Sequence, residues 1–305
     1  GIDTKEFEFE IEKLENFYYS VIDNHKIYSK DAGVKPVALL NNDLDKKETI
    51  PNSLEKLLNW IEVNGYKGYD PYDAEDYIIS KEKSGNSLSE AEKNEIRFLN
   101  DTNPKLCREK YGIPPKINAK AQGLLLASYT DLYRVLNENR FLEKAKEIAE
   151  WLVQNRSGNF ENYCWGYPFD WQSKVFIPMG TPSAVVTTIV GDGFWKLYKT
   201  TLEDKYLDVC NSICRFILED LKIDEIDTEK ICFSYTPIDD FHVHNANLFA
   251  AEFLARIGKE LDNHDYIEYA RKSMNYTLSE QNEDGSIFYW GKIQDYNNSK
   301  HLDSY

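Results

Sequence analysis

The chain has 305 residues, 42% hydrophobic and 29% charged, enough to bury a large core and ordinary for a folded, water-exposed protein. Its net charge of −16 works against a nucleic-acid backbone or an anionic membrane surface as partner, because like charges repel. The longest apolar runs, such as residues 123–127, are too short to cross a bilayer, so no membrane span is expected.

In chain order, residues 6–22 read as a helix, 25–51 as polar loop, and 53–63 as a second helix with Asn52 or Ser53 as its cap and Gly65 as its stop. Residues 66–86 read as another polar, tyrosine-rich loop, and 87–99 as a helix opening near Ser89-Glu90-Ala91-Glu92. Beyond residue 117 the sequence repeats itself. Three segments each run helix, turn, helix, short aromatic strand, loop. The first pairs helices at 120–135 and 140–153 and ends in Tyr163-Cys164-Trp165-Gly166-Tyr167. The second pairs 183–199 with 205–221 and ends in Cys232-Phe233-Ser234-Tyr235. The third pairs 245–261 with 265–280 and ends in Ile287-Phe288-Tyr289-Trp290-Gly291. Phe141 and Tyr266 lie 125 residues apart (141 to 266), as do Trp165 and Trp290 (165 to 290), with Tyr206 between, so one unit is about 60 residues.

The first helix of each pair is apolar nearly all round, as in Leu124-Leu125-Leu126-Ala127, whereas the second is apolar on one stripe only. Buried helices ringed by helices with one wet face account for that alternation. The expected fold is therefore all-α: an incomplete α/α toroid of the (α/α)6 type, with short β-strands in its rim loops. One domain spans 1–305, with irregular hairpins over 1–117 and the three repeats over 118–305. The final residues 301–305 stand where a further inner helix would follow, so the ring is expected to be open or cut short.

In such a toroid the loops leading into inner helices gather at one rim, where residues distant in sequence converge. The aromatic share is 14%, with 21 tyrosines, and much of it falls in these loops. The richest stretch is Asp239-Asp240-Phe241-His242-Val243-His244-Asn245. Carboxylates beside imidazoles suit acid–base work, so Asp240, His242 and His244 are candidate catalytic groups, joined by Asp170 from the preceding loop. The bland alternative makes Asp240 or His242 a helix cap. An indole beside a carboxylate, as in Asp170-Trp171, is a way to hold a sugar, the ring covering its C–H face. Asp70, Tyr72, Asp73, Trp165, Tyr167, Trp171, Gln172, Tyr235, Asn245, Tyr289, Trp290 and His301 are the candidate substrate-binding residues, although Trp165 and Trp290 are equivalent by repeat and at least one should be structural. Asp192, between Gly191 and Gly193, interrupts a buried helix and reads as relief of a tight helix contact.

His242-x-His244 has no evident third ligand, so no metal is expected, and neither a phosphate-cradling glycine loop, a serine elbow nor a Cys-x-x-Cys pair points to a cofactor. Cys210 and Cys214, four apart on one helix, read as buried thiols. With five cysteines and no leader visible, a reducing, cytoplasmic setting is expected, a removed leader leaving no trace.

The patches Tyr66-Lys67-Gly68-Tyr69-Asp70-Pro71-Tyr72-Asp73, Tyr167-Pro168-Phe169-Asp170-Trp171-Gln172 and Val243-His244-Asn245-Ala246-Asn247-Leu248, with Asp284-Gly285-Ser286 and His301-Leu302-Asp303, resemble a family of proteins from surface-polysaccharide gene clusters. More remotely the chain resembles six-hairpin glycosidases, uronate epimerases and lyases, and terpenoid cyclases, although Phe160 and Ile287 stand where the cyclase repeats carry tryptophan. The resemblance implies a carbohydrate-active enzyme, glycosidase-like or lyase/epimerase-like, acting on a polysaccharide or its precursor, with a saccharide as ligand. The alternative is a non-catalytic saccharide-binding or scaffold protein of polysaccharide biosynthesis.

Overall fold

Residues 46–292 are described by the structure, a computed structural model; the expected helix over 6–22 and the candidate His301 lie outside the described residues. The chain divides into two compact units, residues 1–65 and 66–305. In the first, helix α1 (Lys46–Asn64) stops where expected, Gly65 adopting a left-handed φ of 71° as its N–H returns to Ile61 O. It starts earlier than expected, so Asn52 and Ser53 lie inside the helix rather than at its cap.

The second unit opens with three short helices, α2 (Asp73–Lys83), α3 (Glu90–Thr102) and α4 (Pro104–Tyr111). The segment expected to be loop over 66–86 thus holds a helix. Its composition is polar, but Asp73, Glu75 and Asp76 lie in the first turn and Lys81 and Lys83 in the last, charges that complement the helix dipole. A small core of Ala74, Ile78, Ile96, Cys107 and Ile113 joins these helices. Ser89 and Glu92 cap α3 reciprocally, each side chain bonding the other's backbone N–H.

Three hairpins follow, and their bounds match the repeat to within a few residues, except that the helix expected to reach 221 ends at Arg215 and continues as a π-helical turn, Phe216–Asp220. They are α5 (Ala119–Leu136) with α6 (Asn139–Gln154), α7 (Ala184–Thr201) with α8 (Asp204–Arg215), and α9 (His244–Leu261) with α10 (His264–Ser279). Each hairpin turns within two residues, and Asn137, Leu202 and Asp262 take the same left-handed conformation at equivalent places. Helix α5 packs on α7 and α7 on α9, while α6, α8 and α10 each back their own partner. That is the inner-and-outer helix succession of an α/α toroid.

The strands differ from expectation. The segments 163–167 and 287–291 form only single bridges, Gly166 to Pro182 and Trp290 to Val243, because among the described residues no strand runs alongside them. True ladders are β1 (Trp171–Gln172) with β2 (Phe176–Ile177), and β3 (Ile223–Asp227) with β4 (Lys230–Phe233), both antiparallel.

The inner helices touch closely. A Cβ on Gly123 of α5 would lie 2.7 Å from Val190 Cα, and one on Gly193 of α7 would lie 2.8 Å from Gly123 O. Between the glycines of α7, Asp192 turns away to pair with Arg256 of α9. Neither backbone can give way without moving a whole helix, so Gly123→Ala is expected to destabilise the protein by about 1–3 kcal/mol, read as a lower urea midpoint with unchanged slope.

Candidate functional site

Within the second unit the hairpin turns are short at one end, while the connections 155–183, 216–243 and 280–291 are long and lie at the other. The segment before α5 is tied to the loop at 66–72 by a two-bond bridge between Gly68 and Lys116.

At this rim the loops assemble an aromatic wall. Tyr72 stacks on Phe169 with ring centres 5.3 Å apart, and Phe169 stacks on Tyr167 at 5.1 Å. Trp171 sits edge-on to three tyrosines, Tyr72 at 6.2 Å, Tyr167 at 6.5 Å and Tyr235 at 6.1 Å. Tyr72 is 50% exposed, Trp171 and Tyr167 are half-buried, and Gln172 is exposed beside them. Burial, together with Tyr167 and Tyr289 nearby, holds the Tyr235 phenol well above its ordinary pKa, so it remains a neutral donor. Three of the loops singled out from sequence are therefore brought together.

Asp170 has a different place from the one expected. Its Oδ2 receives Lys83 Nζ at 2.5 Å and its Oδ1 receives the Met179 N–H at 2.7 Å, while its own N–H donates to Asp76 Oδ1 at 2.6 Å. Asp76 in turn takes Lys116 Nζ at 2.5 Å. Both Asp170 oxygens are thereby engaged, one strapping the Trp171 loop to α2 and the other closing that loop on Met179, the geometry of an anchor rather than of an acid or base. Trp165 is also displaced from its expected role: it is 1% exposed, stacks on Phe194, and donates its indole N–H to Leu152 O at 2.9 Å, so it belongs to the core.

Asp70 and Asp73 build the turn that presents Tyr72. Asp70 accepts from Tyr72 N–H at 3.0 Å and Asp73 from Asp70 N–H at 2.6 Å. Burial pushes the Asp73 carboxyl above its usual value, partly offset by that hydrogen bond. A cavity of about 260 Å³ lies against both, closed by Tyr66, Lys116 and Pro168.

The loop before α9 is organised by Asp239. Its buried carboxylate accepts from the N–H groups of Tyr235, Thr236 and Phe241 at 2.8–3.0 Å and from the Thr236 hydroxyl at 2.5 Å. Burial raises its pKa and these donors oppose the rise. Asp240, by contrast, is exposed, and with Lys222, Asp224, Ser234 and His242 it lines a cavity of about 420 Å³. His242 is buried, its Nδ1 3.0 Å from Tyr276 Oη and its Nε2 2.9 Å from Asp224 Oδ2. His244, two residues on, faces other partners: Nδ1 is 3.2 Å from Thr277 Oγ1 and Nε2 is 2.9 Å from Glu280 Oε2. Buried and doubly bonded to α10, His244 locks the start of α9 to the next helix. Asn245 turns a buried amide oxygen to a place where no donor meets it. Tyr289 and Trp290 are half-buried; Tyr289 O accepts the His244 N–H at 3.1 Å and the Trp290 ring stands edge-on to Phe241 at 5.2 Å.

Asp224, Tyr276, Glu280 and Lys83 were not singled out from sequence. Asp224 hides in the acidic hairpin Ile223-Asp224-Glu225-Ile226-Asp227, which reads as solvated surface. Tyr276 and Glu280 are one turn apart on α10, a spacing that places them on one face and was the available signal.

No known family profile matches the chain, and no curated protein does. Among solved structures it is similar to a D-mannose isomerase, 13% identical over 61% of this chain and 49% of that one, with a TM-score of 0.47. It is also similar to a cellobiose 2-epimerase from Bacillus thermoamylovorans, 14% identical over 72% and 61% of the two chains, TM-score 0.44. A family 76 α-mannanase from Bacteroides thetaiotaomicron is 15% identical over 71% and 64%, TM-score 0.43. The chain spans about half to three-fifths of the length of the first of these.

Burial alone would raise the Glu280 pKa, but hydrogen bonds from His244 and the Lys292 N–H outweigh it and hold the carboxyl below its ordinary value of 4.5. A depressed carboxyl pKa contributes stability that is present above 4.5 and is lost as pH falls through the folded value. Glu280→Gln is therefore expected to cost about 1–3 kcal/mol near neutrality, the melting temperatures of variant and parent converging in acid. A gap that persists unchanged below the carboxylate range would refute the assignment.

Proposed function

We propose that this chain is the sugar-handling part of a carbohydrate-active enzyme acting on a polysaccharide or its precursor. The observation that carries the reading is the aromatic wall. Tyr72, Tyr167 and Trp171 come from two loops and offer ring faces or edges with a hydroxyl or indole N–H beside them, backed by the buried Tyr235 from a third loop. Such surfaces match a sugar, whose C–H face is apolar and whose rim of hydroxyls seeks donors and acceptors. In this proposal Trp171 and Tyr72 cover the ring, Gln172 and Asp73 meet hydroxyls, and Tyr289 and Trp290 flank the loop before α9. The acid–base groups are drawn from the side chains of the cavity that Asp224, Asp240 and His242 line, working in hydrolysis or in lyase- or epimerase-type proton abstraction. The five free, buried cysteines support a reducing, cytoplasmic setting.

A second reading, a non-catalytic saccharide binder or scaffold, is favoured by one observation: Asp170, Asp239 and His244 have their polar atoms engaged within the protein. A saccharide-array screen with Trp171→Ala and Asp240→Asn separates the two. The enzyme reading expects a glycan retained by the parent, bound about tenfold more weakly by Trp171→Ala, and bound but not converted by Asp240→Asn. Retention without conversion by the parent would favour the binder. A folded parent that retains no glycan would sink the carbohydrate reading altogether.

A further inference from the structure

His242 has an uncommon position for a histidine beside a cavity. Both ring nitrogens are met by protein groups, Tyr276 Oη at 3.0 Å and Asp224 Oδ2 at 2.9 Å, and the residue is only 4% exposed. A ring so placed has no lone pair to offer a ligand. Asp224 is its opposite: the side chain is 56% exposed, it projects from β3 into the 420 Å³ cavity, and one of its oxygens is fixed by the imidazole behind it. We infer that Asp224, rather than His242, is the group that meets the ligand, with His242 and Tyr276 as positioning residues that set its hydrogen bonding and orientation. The inference deepens the enzyme reading and rests on it for the nature of the ligand, a polyhydroxyl compound.

The direction of the hydrogen bonds follows from their ends. A carboxylate can only accept, so His242 Nε2 carries the proton it shares with Asp224. On the other side of the ring Nδ1 and Tyr276 Oη share a hydrogen bond of 3.0 Å, and Tyr276 also bonds the Glu280 carboxylate. Burial raises the pKa of Tyr276 far above its ordinary value and Glu280 adds to the rise, so the phenol keeps its proton and remains able to donate. The contact between the rings leaves no room for a neighbour. A Cβ on Gly291 would lie 2.2 Å from Tyr276 Oη and 2.8 Å from His242 Cβ, while the Gly291 N–H donates to His242 O at 2.7 Å. Glycine at this place is what lets the chain close over the pair. With one oxygen held by Nε2–H, Asp224 can use the other as a base: a ligand hydroxyl or water gives up its proton to that oxygen, and the electron pair of the broken O–H bond stays on the departing oxygen.

Imidazole 1H–15N spectra of the full chain, without ligand, test the arrangement. The parent should show His242 protonated at Nε2, with a downfield Nε2 proton. Asp224→Asn should shift that proton upfield, Tyr276→Phe should shift Nδ1 while leaving the Nε2 proton in place, and Gly291→Ala should disturb both. His244 should keep its signals in Asp224→Asn, which shows that the variant is folded. A His242 bare at Nε2, or one whose signals ignore Asp224→Asn, overturns the inference. On a glycan converted by the parent, Asp224→Asn should lose about 10²–10⁴-fold in turnover with binding retained; full turnover would also overturn it. Because the spectra need no sugar, the two readings fail separately. A blank array with the expected spectra sinks the carbohydrate function, whereas a bound glycan with unmoved His242 signals sinks the role of Asp224.

Discussion

The rim of this protein depends on one constraint: its aromatic segments have a bridge or a two-stranded ladder at most, so backbone groups on their open edge are met by the inner helices, in part through side chains. The inner helices supply them from their first turn. Thr187, fourth in α7, accepts the Trp165 N–H at 3.1 Å and lies 3.2 Å from the Trp165 carbonyl. Asn247, fourth in α9, accepts the Phe233 N–H at 3.0 Å and donates to Ser273 O at 2.9 Å and Thr277 Oγ1 at 3.1 Å. The same position in two repeats thus ties the preceding segment to the inner helix. Asn247 also reaches α10, so the rim strand, the inner helix and the outer helix move as one body. An unpaired buried donor there would cost about 1–3 kcal/mol, which explains why polar residues occur in the otherwise apolar helix starts.

That constraint also explains which parts of the fold were legible. Helix periodicity and the 60-residue repeat located all six hairpin helices, because apolar stripes and caps such as Ser183 are local signals. The strands were misjudged for the complementary reason. Aromatic, β-prone segments at 163–167 and 287–291 look like strands, but a strand exists only when a partner lies beside it, and partnership is not local. Helix α2 was hidden because its residues are mostly polar. Its buried face consists of Asp73, Ala74 and Ile78, too short a stripe to register against so many charges.

The candidate site was legible by loop and less so by residue. Tyr72, Tyr167, Trp171 and Tyr235 were all singled out and do meet, since rim loops of a repeat converge whatever their exact conformation. The carboxylates could not be ranked in the same way. Sequence gives Asp170, Asp239, Asp240 and Asp224 the same chemistry, and only packing decides which oxygens have been claimed. Asp170 and Asp239 are buried and fully engaged; Asp240 and Asp224 line the open cavity. In a chain with a net charge of −16, an acidic residue near a site is weak information, whereas the identity of its hydrogen-bond donors is strong.

The engaged carboxylates are what give the presented ones fixed places. Asp239 gathers three backbone N–H groups and so fixes the path of the loop on which Asp240 and His242 ride. Asp170, held by Lys83 and Met179, fixes the loop that carries Trp171. His244 and Glu280 then pin the start of α9 to α10, where Tyr276 stands one turn before Glu280 and against His242. The proposed site would need its aromatic wall and its cavity carboxylates held within a fraction of an ångström, and loops alone are poor at that. Here each loop has a buried ionisable residue at its root, so that the cost of burying charge is converted into position at the rim.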